Sequence, residues 1–347
     1  MLTRESGVST APTLVSIVIP TYNGASRVAK CLEALCKQRS ERNIEILIVN
    51  DGSTDNTAQI VRGYSGVRLI SQQNAGPAAA RNRGALEAQG AIILFTDDDC
   101  EPIPEWLESL LTPFKDPDVV AAKGVYRTRQ RSLAARFVQV EYEDRYRYMA
   151  GLSNIDFVDT YSAAFRRERF LEIGGYDISF PVACAEDIEL SYRMSARGWK
   201  MKFAPSAIVY HTHPNTLSAY IKKKYKFAFW RVLAVRKNPS KAVKDSHTPQ
   251  LMKLQLLLPP ALVLALAFDM AVRPVFPVSA IVLVAFLLST LPFAFRAFAK
   301  DPIVGLVSPA LLAVRACAQV VGVSAGLFFA RRKAARIPFH SGSFRCW

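Results

Sequence analysis

Cysteine pairs are missing from this sequence. The six cysteines (Cys31, Cys36, Cys100, Cys184, Cys317, Cys346) are scattered, and none belongs to a CxxC motif. That argues against a disulfide framework or a structural zinc site and makes a reducing compartment the default. No signal peptide is expected either. Residues 1–13 are small and polar, include Pro12 and lack an apolar core, so a short disordered tail and no export are expected. Glycine (17 residues) and proline (20 residues) are too sparse for collagen or a low-complexity linker. Hydrophobic residues are plentiful, at 50% of 347, which excludes a disordered chain. The length allows two ordinary domains, or one domain plus something else.

Acidic residues are in short supply: 29 against 44 Lys+Arg, a formal net charge of +15. Such an excess invites a nucleic-acid partner, so its location decides. Residues 1–218 carry 25 basic and 26 acidic residues, whereas 219–253 carry 10 against 1 and 331–347 carry 5 against none. The large N-terminal part is nearly neutral, which speaks against nucleic acid. The excess flanks a hydrophobic block, which points to a membrane surface.

From residue 14 to about 204, short apolar runs alternate with stretches of helical length. The runs are 14–20, 44–50, 67–71 and 91–96, with 119–125 a further candidate; the helical stretches are 26–38, 56–64 and 77–89. This alternation predicts an α/β fold with a mostly parallel sheet covered by helices. The strand ends lead into Asn23-Gly24, Asp51-Gly52 and Asp97-Asp98-Asp99. In open α/β sheets ligands sit beyond the carboxyl ends of the strands, so these turns converge on one site.

The C-terminal third changes character. Residues 254–272 are apolar except Gln255 and Asp269, and 275–295 are apolar with only Ser and Thr as breaks. Each is about long enough to cross a bilayer, although Pro259-Pro260 is expected to start or kink the first. A third run, 303–330, contains Arg315 and Gln319. The link at Arg273-Pro274 has one basic residue and the other flanks have many. Two crossings, with the third helix in the interface or re-entrant, place all the rich flanks in the cytoplasm and are the expectation; three full spans, which would put the basic tail outside, are the alternative. Residues 219–253 form a basic, aromatic juxtamembrane segment in which Tyr220–Arg236 is expected at the headgroups, a solvated linker being the alternative, and 331–347 is expected as a basic cytoplasmic tail.

Three adjacent carboxylates, Asp97, Asp98 and Asp99, repel one another unless a cation neutralises them. Hard divalent ions take oxygen ligands, and on a strand Asp97 and Asp99 face the same side. A solvated acidic turn explains the triplet equally well. Asp51-Gly52-Ser53-Thr54-Asp55 can cap the next helix, which leaves Asp51 itself unexplained. Pro20-Thr21-Tyr22-Asn23-Gly24 reads as a plain turn, or as an exposed aromatic and amide able to hold a base. Arg81 lies one turn into a helix whose start could attract an anion, though a surface arginine is the plainer reading. Glu186 and Asp187 suit a helix N-terminus electrostatically.

Taken in order, VSIVIPTYNG, EILIVNDGSTDNT, NAGPAAARNRGA, FTDDDC, FRRERFLEIGGYD and AEDIELSYRMSARGW resemble the family 2 glycosyltransferases of GT-A type over residues 14–213 or so. The resemblance implies an inverting, membrane-anchored transferase of the non-processive kind. It implies that Pro20, Tyr22, Asn23, Asp51 and Gly52 hold the nucleobase and ribose of a nucleotide sugar, UDP-sugar favoured, with Arg81 near the diphosphate or base. Asp97 and Asp99 match the ends of the family's metal motif for Mg²⁺ or Mn²⁺, with Asp98 between them in the donor-binding set. Asp187 matches the general base, with Glu186 its neighbour, and His211 falls where some members place a third metal ligand. Processive members carry QxxRW before the membrane segment; here Phe227-Ala228-Phe229-Trp230-Arg231 departs from it. Transfer of one sugar to a lipid-linked glycan or polyprenyl phosphate is therefore expected, from a catalytic domain (14–218) on the cytoplasmic side of an inner or plasma membrane. The competing classes are a sugar-1-phosphate nucleotidyltransferase, which wants a Gly-rich, Arg-bearing loop where PTYNG stands, and a non-catalytic membrane scaffold.

Overall fold

The computed structural model describes residues 14–180, 185–242, 245–246 and 248–334. The expected tail at 1–13, Cys184 and positions 335–347 of the basic tail lie outside the described residues. The chain divides into two compact units, the first reaching His213 and the second beginning at Pro214.

In the first unit, strands β1 (Val15–Thr21), β2 (Ile44–Asp51), β3 (Val67–Gln72) and β4 (Ile92–Phe95) alternate with helices α1 (Val28–Leu35), α2 (Thr57–Arg62) and α3 (Pro77–Glu87). All seven residues of β1 are buried, as a central strand covered on both faces requires. In α1 the buried positions Val28, Cys31, Leu32 and Leu35 repeat at helical spacing and pack on that sheet. Pro77 opens α3 at the first helical position, where its missing N–H costs nothing. Gly84 lets α3 sit directly on the sheet, because a Cβ there would run into Val18.

There follow β5 (Glu101–Pro102), α4 (Trp106–Leu111), β6 (Val119–Arg127), α5 (Leu133–Ala150), β7 (Ala163–Arg166), α6 (Arg167–Glu172), α7 (Glu186–Ala196) and β8 (Lys200–Tyr210). The sheet order is β3-β2-β1-β4-β7-β6-β8-β5. Its first four strands are parallel, as expected. Beyond them the sheet is mixed: β7 runs antiparallel to both β4 and β6, whereas β6 and β8 are parallel. The reversal at β7 brings α7 and the end of β8 to the edge where β1, β2 and β4 end. The sequence pattern did not announce α5 or β7; it did mark 207–210, the end of β8.

The second unit holds α8 (Leu217–Lys237), α9 (Gln250–Val272), α10 (Val278–Phe298) and α11 (Pro302–Ala334). The last three are long and apolar enough to cross a membrane by length and composition. Pro259 and Pro260 lie inside α9 and do not shorten it. The polar breaks in these runs have local partners. Asp269 accepts from the Val278 and Ser279 N–H groups, both at 2.9 Å, and so caps α10. The Gln255 amide donates to Ser289 at 3.0 Å and accepts from Arg315. The third run forms one helix, α11.

Candidate active site

The acidic triplet sits in a turn. Strand β4 ends at Phe95, and the Cys100 N–H bonds to the Asp97 carbonyl at 3.0 Å. The expected alternation of side chains along a strand therefore does not apply to Asp97, Asp98 and Asp99. The turn achieves the pairing instead: ligand atoms of Asp97, Asp99 and Cys100 lie within 4.8 Å of one another. His211, just past β8, places Nδ1 3.8 Å from Asp99 Oδ2. Burial, followed by the charges of Asp97 and Asp98, pushes the Asp99 carboxyl up to about 6. A cation would relieve that repulsion, so the Asp97 and Asp99 carboxylates fit a hard divalent ion, with the His211 imidazole close by. Cys100 is a poor fourth donor, because burial raises its thiol pKa and keeps it protonated.

Asp98 turns the other way. It accepts from Thr21 Oγ1 at 2.6 Å and from Arg27 at 3.1 and 3.0 Å, and it is 7% exposed. Its position braces the acidic turn against β1. A Cβ at Gly24 would collide with this pair, which accounts for the glycine of PTYNG. Arg27 carries no motif that marked it in the sequence.

Most of the expected base-binding residues hold loops together. Asp51 accepts from Gln72 Nε2 (2.7 Å), Ala75 N–H (2.9 Å) and Gly76 N–H (2.8 Å). It thereby shapes the loop that starts α3. Gly52 has φ +76, and a Cβ there would press on the Asn74 backbone at 2.8 Å. Asn23 has φ 47, a conformation asparagine tolerates, and its Oδ1 accepts from the Thr54 N–H at 2.9 Å. Pro20 is a buried residue of β1. Tyr22, at 49% exposure, is the member of the set presented to solvent.

Arg81 is not at the surface. It is 2% exposed and bridges Asp97 (2.7 Å) and Glu186 (3.3 Å), with the Tyr176 ring 5.8 Å from its guanidinium carbon. Burial pulls its pKa down, but Asp97 and Glu186 more than restore it, so it stays charged. This bridge ties the acidic turn after β4 to the first turn of α7. Glu186 is fixed by Arg81 and by the Ala185 N–H at 3.1 Å. Asp187 beside it accepts from the Ile188 N–H at 2.7 Å. Burial, Glu186 and Asp159 together raise the Asp187 carboxyl well above the usual carboxylate range. A carboxyl raised in this way titrates closer to neutrality than a solvated one, which is the environment a general base needs.

The fold is that of a GT-A domain. Residues 16–174 match the sequence model of Glycosyl transferase family 2. The chain is 28% identical over 219 residues to the pre-mycofactocin glycosyltransferase of Mycobacterium tuberculosis, covering 60% of this chain and 45% of that protein. It is 25% identical over 226 residues to the poly-β-1,6-N-acetyl-D-glucosamine synthase of Staphylococcus aureus, covering 62% and 53%. The match thus spans about half the length of these curated relatives. The solved mannosyltransferase PcManGT of Pyrobaculum calidifontis, in complex with GDP-Man and Mn²⁺, superposes with a TM-score of 0.61 at 22% identity, covering 92% of this chain and 88% of that one. Residues 16–174 thus carry a glycosyl transferase family 2 domain. Asp187 and His211 lie beyond the residues that match the family model.

His211→Ala is expected to raise the Mn²⁺ concentration needed for half-maximal turnover about tenfold, on the scale of losing one supporting contact at a metal site. A metal titration of turnover checks this.

Proposed function

We propose that this chain moves a sugar from a nucleoside-diphosphate sugar, UDP-sugar favoured, to a hydroxyl or phosphate of a membrane-associated acceptor, with inversion at the anomeric carbon. The acceptor class is a lipid-linked glycan or polyprenyl phosphate, in cell-surface polysaccharide or glycolipid synthesis. The observation that carries this reading is the Arg81 bridge, which joins a carboxylate–imidazole cluster to the helix start bearing Asp187.

In this reading Asp97, Asp99 and His211 hold Mg²⁺ or Mn²⁺, and the ion would neutralise charge on the leaving diphosphate. The Mn²⁺ and GDP-Man named for the solved mannosyltransferase support that assignment. Tyr22 offers a ring face to the base. Asp187 takes the proton from the acceptor hydroxyl as the oxygen attacks the anomeric carbon. The bond from that carbon to the diphosphate oxygen breaks on the opposite face, so one displacement inverts the centre. The electron pair leaves with the nucleoside diphosphate. The absence of QxxRW supports addition of a single sugar rather than polymer extrusion.

The experiment is a panel of UDP-, GDP- and dTDP-sugars with the full chain in detergent, with Mn²⁺ or Mg²⁺ and with EDTA. Metal-dependent release of nucleoside diphosphate from one donor is the expected result. No release and no binding for any donor would overturn the reading.

The topology proposed is two crossings, α9 and α10, with the second half of α11 in the interface. Gly322 and Gly326 of α11 lie against the backbone of α8 at Tyr225 and Phe229, so close that a Cβ would not fit. Helix α8 carries seven Lys/Arg among 21 residues, each costing about 2.5–3.5 kcal/mol at the bilayer centre, so it belongs at the headgroups. The part of α11 resting on it shares that depth. A protease-sensitive tag after Trp347 is then cut in inside-out vesicles and protected in right-side-out ones. The reverse pattern would mean three crossings.

A further inference from the structure

A lysine is buried in the middle of strand β6. Lys123 is 1% exposed, and its ammonium is paired with Asp159, itself 4% exposed. The ammonium also donates to Tyr161 Oη at 3.0 Å and lies 5.0 Å from the Phe157 ring centroid. Tyr161 Oη is 2.9 Å from Tyr146 Oη, which accepts from the Tyr126 N–H at 2.8 Å. The Tyr126 ring packs edge-on against His211 with centroids 4.5 Å apart. A buried ion pair is weak evidence for stability, because its desolvation cost offsets most of the attraction. Apolar residues of similar volume would serve the core as well, so the pair calls for another account.

That account lies in what Asp159 adjoins. The residue before it, Val158, is tied to α7 through the buried Ser191 hydroxyl. Ser191 Oγ accepts from the Val158 N–H at 2.9 Å and lies 3.1 Å from the Val158 carbonyl and 2.6 Å from the carbonyl of Asp187. The segment carrying Asp159 is thus stapled to the helical turn carrying Asp187. Resting on the reading of Asp187 as the base, we propose that Lys123 and Asp159 are positioning residues. Together with Ser191 they hold the first turn of α7 in place, and they set the charge that Asp187 experiences.

The groups acting on Asp187 come from several elements. Glu186 lies beside it on α7, Arg81 comes from α3, and Asp159 precedes β7. Lys123 belongs to β6, Tyr142 to α5, and Tyr176 to the loop before α7. Asp159 is an anion in this set, and Lys123 limits its effect. Replacing Asp159 by Asn removes a like charge from the neighbourhood of Asp187 and leaves the ammonium there.

The test uses no donor. Thermal unfolding of the full chain in detergent, without metal, is followed across pH for wild type and Asp187→Asn. The folded-state pKa of Asp187 lies above its unfolded value. Stability from its protonated form is therefore present in acid and is lost as pH rises through the raised value. The stability difference between wild type and Asp187→Asn should fall with pH, with an upper limit set by the folded pKa. In an Asp159→Asn background that limit should move down by about one pH unit, the low end for a change of nearby charge. An unmoved limit would overturn the proposal and make the pair merely structural. Should Asp159→Asn not fold, Lys123→Met/Asp159→Asn leaves no lone buried charge and serves as the background; a smaller downward move is expected, and no move again overturns the proposal. The base assignment fails separately, through turnover by Asp187→Asn.

Discussion

Asp187→Asn is expected to lose at least about 10³-fold in kcat while binding the nucleoside diphosphate within twofold of wild type. The size follows from what a positioned base contributes, about 10²–10⁴-fold. Asn keeps the shape of the side chain and the hydrogen bond from the Ile188 N–H, but it cannot accept the acceptor's proton. Donor affinity should survive because Asp187 lies on α7, whereas the cation cluster lies after β4 and β8. Turnover at the wild-type rate would remove Asp187 from the chemistry. Loss of nucleotide binding along with turnover would instead show that the first turn of α7 had collapsed.

Arg81→Met is expected to be the most destabilising single change at the site. The guanidinium is 2% exposed and bonds Asp97 and Glu186, which lie 16 and 105 positions away in the chain. Removing one partner of a buried ion pair leaves uncompensated charge and costs about 3–5 kcal/mol. For a domain of this size that lowers the melting temperature by roughly 10 °C. Arg81→Lys keeps a charge but cannot bridge both acids, and should recover only part of the loss. A differential scan with and without Mn²⁺ checks this, because Asp97 freed from Arg81 would repel Asp99 more strongly when the ion is absent. A melting temperature within two degrees of wild type would mean the bridge is dispensable.

The parallel half of the sheet was legible because each β–α unit there is contiguous and its turn residues stand at the strand ends. The acidic triplet was legible by its charge alone, but its geometry was not. Whether Asp97 and Asp99 share a face depends on where β4 stops, and β4 stops at Phe95, ahead of the triplet. Asp51, Asn23 and Arg81 were found as polar residues at the right edge. Their hydrogen bonds go to loops and helices tens of residues away, which no local pattern encodes. Lys123 was visible as a charge within the apolar run VVAAKGV, and nothing near it in sequence names Asp159 as its partner. The polar breaks of the apolar helices, Gln255, Asp269 and Arg315, were legible as oddities and find their partners on neighbouring helices.

The central claim is that the carboxyl edge of this sheet binds a divalent ion together with a nucleoside diphosphate. Calorimetric titration of UDP and GDP into the full chain, with Mn²⁺ or with EDTA, tests it most directly. The prediction is binding with Mn²⁺ that falls at least tenfold in EDTA and in Asp99→Ala. Equal affinity with and without metal, or binding unchanged in Asp99→Ala, would contradict it.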